Sequence, residues 1–262
     1  MKILHIADLH LGAKNSKLSK EKQEIWTDEM FENVHLLFEK IAPKNDVVVI
    51  CGDLFHAKNV AVKISKQFFY CVQNYAKPVI YICGNHDEKF DFDSLPDNFV
   101  FLTHENPSFV YGDTIFCCKE GVANIEKDKN NVLLLHGNIE STKDNDYVDI
   151  SDFLTMDFDY IALGHTHQVK KYKKGNKIFA YSGSLFSNGF DECGDKGYIE
   201  VEIENKEVKK CQFVALPQRR YQLCEVDISS CKSNGDIIEK IKHSFLEKKI
   251  EERDVVRIVL KG

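Results

Sequence analysis

Residues 47–56 read VVVICGDLFH: five consecutive apolar residues followed by a glycine, an aspartate and, three positions further on, a histidine. An unbroken run of β-branched residues predicts a strand that is buried on both faces, as in a sheet covered by helices. The same order recurs as ILHIADLH (3–10), VIYICGNHD (79–87), VLLLHG (132–137) and YIALGHTH (160–167). The sequence therefore predicts five buried strands, each of which leads into polar side chains.

Two helices are predicted between the first three strands. Residues Glu24–Ile41 place their apolar side chains on one stripe, and Val60–Tyr75 do the same before Pro78 closes the helix. Strands and helices alternate as βαβαβ, which predicts a layered α/β fold with mixed β-sheets flanked by helices. The stripe of Glu24–Ile41 also suits a dimer surface, although burial inside the monomer explains it equally well.

The remaining strands of the main domain are predicted to pair mostly as antiparallel neighbours. Three short strands, joined by Asn-Pro and Gly-Asp turns, are predicted at Asn98–Leu102, Ser108–Tyr111 and Thr114–Cys118. Two pairs of strands are predicted after Gly164: Val169–Lys173 with Lys177–Ser182, and Gly197–Ile203 with Val208–Leu216.

Pro217 ends this series and predicts a boundary between two domains, 1–217 and 218–262. The second domain is predicted to contain a strand, a helix and a strand at Tyr221–Ile228, Gly235–Leu246 and Val255–Leu260. So short a segment forms a poor independent core, so we expect a domain that is truncated here.

The composition is typical of a globular protein. The chain has 262 residues, 43% hydrophobic and 29% charged, which excludes a disordered chain. It offers no apolar stretch of membrane-spanning length and no secretory leader, so we expect no membrane association. The nine cysteines form no C-x-x-C pair and predict reduced thiols in the cytoplasm. The net charge of −6 argues against nucleic-acid binding over the whole surface.

The polar residues that follow the five strands are candidates for a metal site. In an open α/β sheet, ligands bind at the carboxyl ends of the strands. One such residue is usually an ordinary turn residue, but all five strands deliver Asp, His or Asn. This is a mixed set of oxygen and nitrogen donors, which suits Mn, Fe or Zn rather than the metals of a soft thiolate site. His5, inside the first strand, is expected in the core instead.

The ordered motifs D-x-H, G-D-x-x-H, G-N-H-D, H-G and G-H-x-H resemble the calcineurin-like metallophosphoesterases. The segments HIADLHLG, GDLFH, DYIALGHTH and YSGSL followed by GYIEVEI are similar to the DNA-repair exonuclease branch, of the SbcD and meiotic recombination nuclease type. The resemblance covers essentially all of the chain. It implies a layered metallophosphoesterase sandwich, followed by the start of a small α+β capping domain.

The resemblance also implies roles for individual residues. One metal ion would be held by Asp8, His10, Asp53 and His167, and the other by Asp53, Asn85, His136 and His165, so that Asp53 bridges them. His86 would stand beside the scissile phosphate and protonate the leaving oxygen, Asp87 would orient His86, and His56 would be a further active-site histidine. Two divalent ions are expected, Mn²⁺ foremost, with Fe or Zn as alternatives.

The implied function is metal-dependent hydrolysis of nucleic-acid phosphodiester bonds, as by a DNA exo- or endonuclease in double-strand-break repair. The implied partners are DNA, an SMC-like ABC ATPase of the SbcC type and a second copy of the chain. Two alternatives stay open. One is another metallophosphoesterase, such as a nucleotide phosphodiesterase or a protein phosphatase, and the other is a non-catalytic scaffold of the same fold.

Two lysine runs adjoin the motifs: Lys14, Lys17, Lys20 and Lys22, and then Lys170, Lys171, Lys173, Lys174 and Lys177. They suit either contacts with a phosphate backbone or an ordinary solvated surface. The chain departs from the family at Ser182, where relatives often have Pro, and at Lys58–Val60, where they often carry Arg and Pro. Both departures leave the preference for DNA ends open.

Overall fold

The computed structural model describes residues 1–14, 18–56, 61–87 and 95–262. The predictions made for Lys17 and for Lys58–Val60 therefore lie outside the described residues. The strands are β1 (Lys2–Ile6), β2 (Val47–Cys51), β3 (Val79–Ile82), β4 (Phe99–Phe101), β5 (Ser108–Tyr111), β6 (Thr114–Cys117), β7 (Asn130–His136), β8 (Tyr160–Gly164), β9 (Lys170–Lys174), β10 (Lys177–Tyr181), β11 (Gly197–Glu204), β12 (Glu207–Ala215), β13 (Tyr221–Asp227) and β14 (Val255–Lys261).

The helices are α1 (Lys20–Leu36), α2 (Val62–Tyr75), α3 (Ser151–Thr155) and α4 (Asn234–Glu247). Helices α1, α2 and α4 agree with the predicted ones in type and place, whereas the short helix α3 was not predicted. A π-helical turn, Leu37–Ile41, continues α1. At the start of α1, Ser19 caps the helix by accepting a hydrogen bond from the amide of Lys22. None of the helices in the described ranges combines the length and apolarity needed to cross a bilayer.

The first sheet has the strand order β12-β11-β1-β2-β3-β4. Strands β1 to β4 are parallel, which agrees with the βαβαβ prediction. Every residue of β2 and β3 is buried, as their continuous apolar sequence predicts. Strand β11 joins the other side of β1 as an antiparallel neighbour, and β12 pairs with β11.

The second sheet corrects the prediction that the later strands are mostly antiparallel. Its order is β5-β6-β7-β8-β10-β9, and the four central strands β6, β7, β8 and β10 run parallel. Only the edge strands β5 and β9 pair as antiparallel hairpins. The hairpin turn between β9 and β10 was predicted correctly, but β10 pairs its other edge with β8, a contact that no local turn signal indicates.

The core lies between the two sheets, with helices on the outside. Alternate residues of β1, β2, β7 and β8 form one buried cluster, which includes Ile3, Val49 and Leu134. On the outer face of the first sheet, Phe68 of α2 packs edge-to-face on Phe99, with ring centroids 6.4 Å apart. On the outer face of the second sheet, an apolar cluster includes side chains of β7, β8 and α3. This confirms the predicted α/β sandwich of mixed sheets flanked by helices.

The chain divides into two compact units, Met1–Phe186 with Gly197–Ala215 and Ser187–Lys196 with Leu216–Gly262. The second unit has the predicted strand, helix and strand, with β13 and β14 parallel. The short segment Ser187–Lys196 was not predicted to join it. Its Phe190 ring packs against Tyr221, at a centroid distance of 5.1 Å, and beneath the guanidinium of Arg257. A domain boundary at residues 217/218 stays a prediction.

Candidate metal centre

The carboxyl ends of the five motif strands come together although the strands belong to two sheets. Backbone hydrogen bonds tie the turns to one another: the amide of Asp8 donates to the carbonyl of Gly52 at 3.1 Å, and the amide of His10 to that of Asp53 at 2.9 Å. The amide of His165, from the second sheet, donates to both carboxylate oxygens of Asp8 at 3.0 and 3.1 Å. The predicted metal site at the carboxyl ends of the strands is therefore formed by both sheets.

The turns adopt backbone conformations that ordinary loops avoid. Four of the eight non-glycine residues with positive φ in the described ranges are predicted site residues: Asp8, His10, Asp53 and His165. Left-handed conformations of such residues cost energy and concentrate at functional sites. The strain indicates that the surrounding contacts, not local preference, fix these side chains.

Glycines allow the strand ends to approach closely. A Cβ on Gly164 would lie 1.7 Å from the carbonyl oxygen of Cys51, and one on Gly84 would lie 2.1 Å from Asp53 Oδ1. Gly52 has a φ of +82° and would bring a Cβ within 2.2 Å of His136 Nδ1. Any side chain at these three positions would push the candidate ligands apart.

The first group of candidate ligands comes from the turn after β1 and the turn after β8. His10 Nε2 and His167 Nε2 are 3.0 Å apart, and Asp8 offers a carboxylate oxygen within the same cluster. Two nitrogens at this distance suit two bonds of about 2.1 Å to one divalent ion. Burial lowers the pKa of His10 to about 3. The imidazole is therefore neutral at pH 7, the form that ligates a metal.

The second group lies on the other side of Asp53. His136 Nε2 is 3.1 Å from Asn85 Oδ1 and 3.6 Å from Asp53 Oδ2. The same Oδ2 atom is 3.6 Å from His10 Nε2. Asp53 thus lies between the two groups at equal distances, as a carboxylate shared by two ions would.

His136 is held in the tautomer that a ligand needs. Its Nδ1 lies 2.9 Å from the carbonyl oxygen of Cys51, which can only accept a hydrogen bond. The proton is therefore on Nδ1, and Nε2 keeps its lone pair toward Asp53 and Asn85. Burial lowers the pKa of His136 as well. These neutral imidazoles, carboxylates and an amide oxygen fit two divalent ions of the Mn, Fe or Zn type.

Two further histidines border the site on the solvent side. The rings of His56 and His86 stack at a centroid distance of 5.5 Å. The centroid of the His86 ring lies 4.9 Å from that of the His10 ring. His86 Nδ1 is 3.2 Å from the carbonyl oxygen of His56, so this nitrogen donates and Nε2 is left for other contacts. His56 is exposed and His86 half-buried, so a substrate in solution can reach both.

Asp87 does not occupy the place predicted for it. Its carboxylate is fully buried and accepts hydrogen bonds from the amides of Leu54 and Gly84 and from the hydroxyl of Tyr81. Burial raises the pKa of Asp87 to about 7. Within the described residues no contact joins this carboxylate to the His86 ring, which the His56 carbonyl orients instead. Asp87 therefore ties the turn after β3 to the turn after β2.

The structure adds two carboxylates that the motif analysis missed. Asp144 and Asp146 lie with His165 in one cluster, and Asp144 Oδ2 is 3.4 Å from His165 Nε2. Both come from the loop after β7. The available signal was the D-x-D pattern eight residues beyond His136, but nothing in the sequence shows that this loop folds back to His165.

Comparison with known proteins agrees with this fold. The sequence model of the calcineurin-like phosphoesterases matches residues 1–169, more than half of the chain. The chain therefore belongs to the calcineurin-like phosphoesterase family.

Three known proteins are similar to this chain. The chain is 27% identical to the DNA double-strand break repair protein Mre11 of Methanocaldococcus jannaschii, over 92% of this chain and 73% of that protein. It is 27% identical to the SbcD component of the nuclease SbcCD of Staphylococcus epidermidis, over 87% of this chain and 73% of that protein. A solved Staphylococcus aureus protein described as a 5′-nucleotidase shares the fold, with a TM-score of 0.55 and 13% identity, over 93% of this chain and 57% of that one.

Proposed function

We propose that this chain hydrolyses phosphodiester bonds of nucleic acids with the help of two divalent metal ions. The observation that carries the proposal is the position of Asp53 Oδ2, 3.6 Å from both His10 Nε2 and His136 Nε2. Two bound ions would neutralise the phosphodiester oxygens and activate a water molecule. Asp8, His10 and His167 would hold one ion, and Asn85, His136 and His165 the other.

His86 is the candidate proton donor. Because its Nδ1 donates to the His56 carbonyl, the doubly protonated His86 ring carries its second proton on Nε2. It can deliver that proton to the leaving oxygen and remain as the neutral ring with its proton on Nδ1. His56 stacks beside it with an exposed ring, so it can contact the same phosphate. Asp87 supports this arrangement indirectly, because it fixes the turn that carries His86.

The metal and the substrate can be tested together. Purified protein should contain or bind two ions, and Mn²⁺ should restore activity after treatment with a chelator more effectively than Zn²⁺. Cleavage should then be compared on single-stranded DNA, duplex DNA, a cyclic nucleotide and a phosphomonoester. Turnover of the DNA substrates supports a nuclease, whereas turnover confined to the small substrates identifies a nucleotide phosphodiesterase or phosphatase. A protein that binds no metal and cleaves nothing would be a scaffold.

We also propose partners from the relatives' described roles. A DNA double-strand break repair protein and a component of the SbcCD nuclease are similar to this chain over most of its length. DNA and an SMC-like ATPase of the SbcC type are therefore the partners to test, by DNA binding and by co-purification in the cytoplasm where we expect the chain to act. A homodimer also remains a proposal. Burial within the chain accounts for Met30, Phe31 and Val34 of the α1 stripe, whereas Ile25 at its start is exposed.

A further inference from the structure

The loop after β7 has a built structure that the family motifs do not explain. The amide of Asn138 donates to the carbonyl of Asp146 at 2.9 Å, and the amide of Val148 donates back to the carbonyl of Asn138 at 2.9 Å. Gly137 lies against this closure, where a Cβ would come within 2.5 Å of the Asp146 carbonyl oxygen. The loop is therefore folded back on its own start.

Within the loop, Asn138 fixes the carboxylate of Asp144. Asn138 Nδ2 donates to Asp144 Oδ2 at 2.9 Å, and the amide of Asp146 donates to Asp144 Oδ1 at 3.0 Å. Asn138 Oδ1 in turn accepts from the amides of Glu140 and Ser141 at 2.8 and 3.0 Å. Each oxygen of Asp144 thus has a donor from the loop, and this holds the carboxylate in one orientation.

The fixed carboxylate faces His165. Asp144 Oδ2 is 3.4 Å from His165 Nε2, and the two side chains are 27% and 19% exposed. An ionised carboxylate only accepts hydrogen bonds, so Nε2 is the nitrogen that carries the proton. Nδ1 of His165 then keeps the lone pair. The neighbouring His136, 5.3 Å away between ring centroids, has the opposite arrangement, with its proton on Nδ1.

We propose that Asp144 is a positioning residue for the second metal ion: it holds His165 in the Nε2–H tautomer and thereby makes Nδ1 the ligand atom. This inference rests on the proposed metal-binding function, which assigns His165 to that ion. A histidine ligand is commonly fixed by a carboxylate on its other nitrogen, and loss of such a partner typically weakens metal affinity 10- to 100-fold. Asp144 is expected to act in this way without touching the substrate.

The first test reads the tautomer directly in the wild-type protein without added metal. Nitrogen-15 NMR of the histidine rings at pH 7.5 should show His165 with its proton on Nε2 and His136 with its proton on Nδ1. Asp144→Asn should change the His165 signals toward a mixture of tautomers and leave those of His136 in place. A wild-type His165 that is protonated on Nδ1 would overturn the proposal, whatever the activity of the protein.

The second test measures Mn²⁺ binding by titration calorimetry. We expect two sites in the wild-type protein and a 10- to 100-fold weaker second site in Asp144→Asn, partly restored in Asp144→Glu. The control is Asp149→Asn, which removes the same charge from the same segment but faces the amide of Ser151, at 2.9 Å. Equal affinities in wild-type and Asp144→Asn protein would refute the role.

The outcomes separate this inference from the proposed function. If two Mn²⁺ ions bind as expected and no phosphodiester is cleaved, the function fails and the inference stands. If Asp144→Asn loses one whole ion from a total of three, Asp144 is a direct ligand and the positioning role is wrong. If both sites keep their affinity while the tautomer changes, the link between tautomer and metal is refuted.

Discussion

Asp53 and His86 follow neighbouring parallel strands, and the amide of His86 donates to Asp53 Oδ1 at 3.0 Å. One carboxylate thus contacts the segment of the proposed proton donor through Oδ1 and faces both candidate metal positions through Oδ2. The distance between the backbone of the proton donor and the metal positions is therefore set by one buried carboxylate, that of Asp53. This is the preorganisation that proton transfer to a leaving group needs.

The first prediction follows for His86. His86→Ala should lower kcat for a phosphodiester by about 10²- to 10⁴-fold, because it removes the proposed proton donor and leaves the candidate ligands in place. The measurement is steady-state cleavage of a DNA substrate together with metal content. His104→Ala, at an exposed histidine away from the motifs, should have wild-type activity. Unchanged turnover by His86→Ala would refute the proposed role.

A second residue-scale prediction concerns His5, which lies in the core as the sequence predicts. Its Nδ1 is 2.8 Å from the hydroxyl of Tyr160, and burial lowers the pKa of His5 to about 3. The unfolded chain binds a proton near pH 6.5, whereas the folded chain does not until near pH 3. The contribution of neutral His5 to stability is therefore complete above pH 6.5 and is lost as the pH falls toward 3.

Between pH 6.5 and pH 4.5 this effect amounts to at most about 2–3 kcal/mol of unfolding free energy, at about 1.4 kcal/mol per pH unit. Urea unfolding of wild-type protein and His5→Gln over this range measures it. The variant should be less stable at pH 7 but should lose less stability on acidification. Parallel pH profiles of the two proteins would show that His5 does not titrate in this way.

At the scale of elements, the site depends on how closely β2, β3 and β8 approach one another. The third prediction uses Gly164, the last residue of β8, where a Cβ would collide with the Cys51 carbonyl at 1.7 Å and with His136 Nδ1 at 2.9 Å. Gly164→Ala should cost about 1–3 kcal/mol of stability through overpacking, and should weaken metal binding because it displaces the carbonyl that fixes His136.

Thermal unfolding and Mn²⁺ titration measure the two effects. The control is Gly235→Ala in α4, where the nearest atom to the added Cβ would be Ser233 Oγ at 3.5 Å. This change should leave metal binding intact and alter the stability by no more than about 0.5 kcal/mol, because Gly235 is exposed in the first turn of α4. Equal behaviour of the two variants would mean that the close approach at Gly164 is not needed for the site.

The strands and the candidate ligands could be predicted because both signals are local. An apolar run such as VVVIC encodes burial on two faces, and the polar residues follow each run directly. The partners of these residues were not predictable in the same way. The parallel pairing of β10 with β8, the inward direction of Asp87 and the contact of Asp144 with His165 all join segments that are distant in sequence or depend on a turn's exact path.

At the scale of the whole molecule, the net charge of −6 does not describe the surface that a substrate would approach. Two divalent ions would add four positive charges at the site and change the formal charge from −6 to −2. Local potential rather than total charge governs the attraction of an anion. Strand β9, which begins three residues after His167, is one of the two basic segments that adjoin the site in sequence.

Several lysines of this segment are already engaged within the chain. Lys170 pairs with Glu140, and Lys171 Nζ donates to the carbonyl of Cys211 at 2.9 Å. Lys173 and Lys174 are exposed at the end of the edge strand β9 and offer their charges to solvent. If a nucleic acid runs along β9, these two lysines are the residues that would contact its phosphates.

The last prediction tests that path through its salt dependence. Each phosphate contact with duplex DNA contributes about 0.9 to the slope of log affinity against log salt concentration. The double variant Lys173→Gln/Lys174→Gln should therefore reduce the slope by up to about 1.8, because two counterion-releasing contacts are lost. Binding to a labelled duplex, measured across a salt series in Ca²⁺ or chelator to prevent cleavage, gives the slope.

The control is the double variant Lys242→Gln/Lys248→Gln, which removes the same charge from two exposed lysines of the second unit and should leave the slope unchanged. Equal reductions in both double variants would indicate attraction by total charge, and no reduction in either would assign the lysines of β9 to an ordinary solvated surface.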